Sequence, residues 1–206
     1  MPEIETLLVF LRIKGFGKAE SLAWALGVTM EASRMRLDEL KALGQAEDTR
    51  VGARLTPAGR TRADAILAAE RASVDTATVS MENAHFTPVN GAFKHLITRW
   101  QIREVDGKPV RNDHSDAAHD AIVLADLDSV HRDVGDIIAG IARALARFGA
   151  YRSRLDAALG KVRSGDVRYL VAPDVESYHT IWSELHQDLI GLSGTRRAKE
   201  AAGRAL

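Results

Sequence analysis

The sequence contains no cysteine, which excludes disulfides, thiolate nucleophiles and cysteine-ligated zinc and suits a reducing compartment. Net charge is equally absent. Its 28 Lys and Arg balance 28 Asp and Glu, so gross electrostatics indicate neither a nucleic-acid coat nor an acid-loving surface, and any binding must be local. No apolar run approaches the roughly 20 residues of a membrane span. The longest early one is Leu7 to Leu11, and no charged leader with a small-residue cleavage site precedes it, so a cytoplasmic protein without a membrane partner is expected. Enzyme signatures are missing too: there is no Gly-x-Ser-x-Gly, phosphate loop, dinucleotide fingerprint or His-Glu-x-x-His. The expectation is therefore no enzyme, no catalytic residue and no cofactor.

What is present is a folded chain. At 206 residues, 46% hydrophobic and 27% charged, it is long enough for one large domain or two small ones. Ile4, Leu7, Leu8 and Leu11 recur at helical spacing up to Lys14-Gly15, and a second helix covers Lys18 to Leu26 before Gly27. Thr29 is a good N-cap for a third helix, with Glu31 in its first turn and Leu37, Leu40 and Leu43 as its buried stripe before Gly44. Ala46 to Asp48 and Ala53 to Leu55, around a turn at Arg50-Val51-Gly52, read as a short charged hairpin. Thr56-Pro57 starts a long helix that runs through Ile66, Leu67, Glu70, Val74, Thr78 and Met81.

Helical signals dominate the rest. Thr87-Pro88 repeats the cap-plus-proline start for a helix carrying Phe93, Leu96, Ile97 and Trp100, which ends before an Asp106-Gly107 turn and a polar loop with Pro109. Asp113 or Ser115 caps a long stretch from Ala121 to Leu145, with a break expected near Gly135. Another helix carries Tyr151, Leu155 and Leu159. Val167 to Val171 reads as a short extended or irregular connector, Pro173 introduces a last strong helix with Tyr178, Ile181, Trp182, Leu185 and Leu189, and the Arg- and Ala-rich tail from Thr195 reads as a final short helix.

The order helix, helix, turn, helix, hairpin, helix resembles the winged helix-turn-helix of MarR-type regulators over residues 3 to about 71. Two stretches carry the likeness: Leu22-Ala23-Trp24-Ala25-Leu26-Gly27-Val28-Thr29, and Leu55-Thr56-Pro57-Ala58-Gly59-Arg60 after the wing. The resemblance implies a recognition helix over residues 29 to 43, with Thr29, Glu31, Arg34, Met35 and Arg36 facing the major groove and Arg50 and Arg54 on the wing. Ser33 stands where such helices usually bury a branched aliphatic, and Glu31 sets a carboxylate toward an anionic backbone. Seven basic residues oppose five acidic ones between 28 and 62, a local excess of two. The expected fold class is mainly α: a winged helix-turn-helix with a short β-hairpin wing at 1–75, then a helical bundle at 76–206 for effector binding or dimerisation.

In that second part, Asn90, Lys94, Ile97 and Gln101 share a helix face beside Trp100, which reads either as a pocket wall or as an exposed face over a buried Trp100. Trp100, Gln101, Asn112, Asp113, His114, Tyr178, His179, Trp182 and His186 are the candidate ligand-binding residues, although capping loops and core packing explain many of them equally. All seven histidines lie at or after His85. Asp116 with His119, and Asp128 with His131, have a metal-ligating spacing, but on one ideal helix the two pairs point about 120° apart, and no metal site is expected. The sequence thus supports a cytoplasmic regulator that binds a palindromic double-stranded operator as a homodimer, with a small-molecule effector. Zero net charge and Glu31 keep open a winged-helix module that binds protein instead, such as a regulatory partner of an enzyme. A helical enzyme using His114, Asp116 and His119 is the third alternative.

Overall fold

The computed structural model describes residues 3–194. Local signals account for its first elements. Leu7, Leu8 and Leu11 are buried along one side of α1 (Glu3–Lys14), and α2 (Ala19–Leu26) ends on Gly27 in the left-handed region. Thr29 caps α3 (Met30–Ala42), its hydroxyl accepting the Ala32 amide at 3.1 Å. β1 (Ala46–Thr49) and β2 (Gly52–Leu55) pair antiparallel with Ala46 opposite Leu55. Gly17 bridges the other edge of β2 through two backbone bonds of 2.9 Å with Ala53. Thr56 caps α4 (Pro57–Ser73), whose proline occupies the first turn where its missing N–H leaves nothing unpaired. Leu7, Leu8, Leu11, Leu22, Leu37, Leu40 and Leu55 close the first core. Leu43 is exposed rather than buried, because it is the C-cap residue beyond the last turn of α3.

Beyond α4 the structure departs from several expectations. The helix does not continue to Met81: Val74 is extended and buried in the second core, and Asp75 accepts the Ala77 and Thr78 amides to start α5 (Thr76–Gln101). Thr87-Pro88 lies inside α5 instead of starting a helix. The Thr87 hydroxyl donates back to the Asn83 carbonyl at 2.9 Å, and Ala84, whose carbonyl the proline leaves without its usual partner, lies on the exposed side. The expected polar loop is a second hairpin, β3 (Ile102–Val105) and β4 (Lys108–Arg111), with Ile102 opposite Arg111. Asp106 and Gly107 both have positive φ, 51° and 74°, the type I′ geometry that Asp-Gly favours.

Asp116, not Asp113 or Ser115, caps α6 (Ala117–Ala142), since its carboxylate takes the Ala118 and His119 amides. Gly135 does not break this helix. Its missing side chain makes room for the Arg152 guanidinium, with which a Cβ would collide. A 3-10 turn (Ala146–Phe148) leads into α7 (Gly149–Arg163). The connector expected to be extended or irregular is a one-turn helix, α8 (Arg168–Val171), held by buried Leu170, and α9 (Tyr178–Ser193) starts from the Ser177 cap rather than at Pro173. The helix expected from Thr195 lies outside the described residues. Helices α5 to α9 enclose a larger second core around Phe93, Trp100, Leu127, Ile138, Leu155, Tyr178 and Leu185. The described chain is mainly helical, with two small antiparallel hairpins, and none of its helices is long and apolar enough to cross a membrane.

The two cores meet through buried charge. Arg154 of α7, only 3% exposed, donates to Glu176 and Glu184 at 2.6 Å each, and Lys14 of α1 donates to the same two carboxylates. The Arg154 guanidinium also lies over the Phe10 ring, 4.8 Å from its centroid. Beside this cluster, Arg147 forks between Glu70 of α4 and Asp188 of α9, and Tyr151 donates to Asp188 at 2.9 Å. Removing one partner of such a group strands a buried charge, at a penalty of about 3–5 kcal/mol. Arg147→Met is therefore expected to lower the unfolding free energy by about 3–5 kcal/mol in a urea melt. Arg12→Met, which breaks the more exposed pair with Asp64, should change it by less than about 1 kcal/mol.

Candidate nucleic-acid face and candidate ligand groove

Helix α3 packs principally against α1, α2 and β1, so its outer side and the tip of the first hairpin face away from the second core. The residues singled out there have different fates. Thr29 is spent as the helix cap. Glu31, Arg34 and Met35 are exposed, Met35 to 66%, and Arg34 makes one loose ion pair with Glu20 at 3.7 Å. Arg36 is half-buried and donates to the Ala32 carbonyl at 3.2 Å. Arg50 is exposed at the hairpin turn, whereas Arg54 is tied to Glu47 at 2.7 Å. Between α3 and the hairpin, Lys18, Arg34 and Lys41 line a shallow hollow together with Asp38 and Asp48. Those two carboxylates hydrogen-bond Lys41 and raise its pKa. Ser33 is fully buried with its hydroxyl unpaired, a polar group where the core offers it no partner.

A second site lies between α5 and α9. Asn90, Phe93, Lys94 and Ile97 on α5 face His179, Trp182 and His186 on α9 across a groove of about 300 Å³. The structure thus brings the two helix faces noted in the sequence onto one cavity, without Gln101. Trp182 forms the floor: its ring stacks on Phe93 at 4.1 Å and on Phe86 at 5.4 Å, and its indole N–H donates to Asn90 Oδ1 at 3.0 Å. Tyr178 is fully buried behind this floor and is a core residue. Burial lowers the pKa of His179; burial and then the positive charge of Lys94 lower that of His186. Both shifts favour the neutral imidazole. Among the described residues, no carboxylate lines the groove.

No family model, curated protein or solved structure matches this chain.

Trp100, Gln101, Asn112, Asp113 and His114 are gathered elsewhere, in an open hollow at the base of the second hairpin that shares no lining residue with the groove. Their polar atoms are largely engaged. Asn112, buried, donates to the Trp100 carbonyl at 3.0 Å and to Asp120 at 2.8 Å, while its own carbonyl accepts the His114 amide at 3.1 Å. His114 pairs with Asp120 at 2.9 Å and lies against Trp100 at 4.5 Å. The Ser115 hydroxyl and amide bond Asp113 and lower its pKa. This constellation latches the hairpin to α5 and α6.

The Asp-x-x-His pairs are occupied in the same way. Asp116 caps α6 and His119 bonds the Arg99 carbonyl at 2.9 Å. His131 is held between the Tyr178 hydroxyl at 3.1 Å and Asp156 at 2.8 Å, with its pKa lowered first by burial and then by Arg152. No group of three or more potential metal ligands converges among the described residues. Sequence reasoning missed the ionic joint between the cores, whose partners lie 22 to 170 residues apart, so helical spacing within one element does not reveal the element it pairs with.

Two outcomes follow. In Lys94→Met, the His186 pKa read by NMR titration should rise toward its ordinary value, because a repelling charge has gone, while His179, depressed by burial alone, should not move. Asn112→Ala, which strands the Trp100 carbonyl, should destabilise the fold by about 1–3 kcal/mol in chemical denaturation.

Proposed function

We propose that the chain is a DNA-binding transcriptional regulator: a winged helix-turn-helix on its first 75 residues, carried by a helical domain that dimerises and holds a small-molecule effector. The observation that carries the reading is the Gly17–Ala53 bridge. It sets a bridging residue from the α1–α2 connection beside the β1–β2 hairpin, and the resulting order of helix, bridge, helix, helix, hairpin, helix supports a winged-helix reading in which α3 takes the recognition position. The N-terminal half of α3 is uncovered by the second core and carries exposed Arg34, with Arg50 at the hairpin tip. Arginine there reads guanine by its planar fork or pairs with phosphate. A single recognition helix spans too few base pairs for specificity, so a two-fold dimer on a palindromic operator belongs to the same reading.

A second reading, docking of a protein partner on the same face, is favoured by two observations. Arg54 and Lys41 are neutralised by carboxylates within the unit, and Trp24, Met30 and Met35 expose apolar surface. Selection from a random duplex pool at about 150 mM salt separates the two, since non-specific phosphate binding is already weakened there. Enrichment of a palindrome supports the regulator. Arg34→Ala should then weaken binding by about 1–3 kcal/mol and relax one base preference, and Arg50→Ala should reduce the salt slope by about 1. A folded protein that enriches no sequence refutes the DNA reading and leaves protein docking.

A further inference from the structure

The groove between α5 and α9 has a one-sided chemistry. Every carboxylate on α9 faces the other way: Glu184 is held by Arg154 and Lys14, and Asp188 by Arg147 and Tyr151. The α5 segment that forms the opposite wall, from Thr87 to Gln101, contains no Asp or Glu. Lys94 therefore stands at the rim with no ion pair among the described residues, and its uncompensated charge reaches His186 across the groove. The Asn90 carbonyl accepts the Trp182 indole N–H, which fixes the orientation of the amide, and its N–H2 has no partner among the described residues and is available as a donor. The Ser183 hydroxyl is occupied in donating to the His179 carbonyl. Below this rim the floor is apolar, with Phe93, Trp182, Ile97 and Ile190. A volume of about 300 Å³ stands at the lower end of the range of small-molecule sites.

We infer that this groove binds a small monocarboxylic acid, its apolar body on the Phe93–Trp182 floor and its carboxylate at Lys94 and the Asn90 amide. A neutral ligand would leave Lys94 as it is in the free protein, and a cation would meet it with no acid to compensate; only an anion gains on entry. The body must be short, because the floor is closed beneath Trp182 by Phe86 and the buried Tyr178. The inference rests on the proposed function only in placing the effector site in the helical domain. It is independent of the DNA reading, and it is tested on the protein without DNA.

The experiment is calorimetric titration of the full chain with benzoate and hexanoate, each beside its neutral amide. Both acids are expected to bind more tightly than their amides. Lys94→Met should weaken the acids about tenfold, the scale of one charge-assisted contact, while leaving the amides unchanged, and Lys94→Arg should restore the preference. Lys94 is exposed, so these variants test binding rather than folding, and circular dichroism checks that they fold. Equal affinity for acid and amide, or no response to Lys94→Met, overturns the inference. So does failure of every probe to bind, and so does a mass that rises with protein concentration and changes on Ser183→Trp, since the groove is then closed by a second copy. Loss of acid binding with operator selection intact refutes this inference alone; loss of operator selection with acid binding intact refutes only the DNA reading.

Discussion

Two guanidinium groups, Arg147 and Arg154, sit where four helices from two separate cores converge: Arg147 joins Glu70 of α4 to Asp188 of α9, and Arg154 shares the Glu176 and Glu184 carboxylates with Lys14 of α1. Apolar surfaces tolerate sliding, since hydrophobic attraction is non-directional. A forked guanidinium does not, because its hydrogen bonds fail steeply with angle. The contact between the cores is therefore defined by direction more than by area. Burial makes the arrangement strict: with Asp188 almost wholly enclosed and Tyr151 donating to it, loss of one partner strands a charge that was brought out of water on folding.

This joint also explains the character of α9. The helix is two-sided in an unusual sense, with Glu184 and Asp188 turned toward the first core and His179, Trp182, Ser183 and His186 turned toward α5. Segregating its acids on the ionic side leaves the other side free of negative charge. The groove and the joint are thus opposite faces of one helix, and a shift of α9 that widens one must bear on the other. In the proposed regulator, that shared helix is the physical element through which groove occupancy reaches the unit carrying α3.

Local signals were legible wherever the deciding atoms lie within a few residues. Gly27, Thr29 and Thr56-Pro57 mark their helix boundaries because a cap hydroxyl and a left-handed glycine act on adjacent backbone. The same logic misled at Thr87-Pro88, where burial of Phe86 and Phe93 on either side keeps the helix continuous through the proline. Asp106-Gly107 was legible as a turn but not as a hairpin, since both flanking strands are exposed and lack the alternation that betrays a half-buried strand. His179, Trp182 and His186 were recognisable as one helix face and Asn90 and Lys94 as another, yet nothing in the sequence says that the two faces meet. Asn112 and His114 read as ligand groups because an amide that latches a hairpin and one that greets a ligand look alike until their partners are known.

The Lys14 to Glu184 contact joins residues 170 positions apart, and the Glu70 to Arg147 contact 77. The first core, by contrast, closes entirely within residues 4–66. On a chain synthesised from its N-terminus, that unit has all of its own apolar partners long before α9 emerges, and it folds with Lys14 and Glu70 still hydrated. Their desolvation waits for the last described helix. The order of assembly is written into the chain: a short unit of local contacts forms early, and the enclosing of charge, which demands the greatest precision, is the closing step.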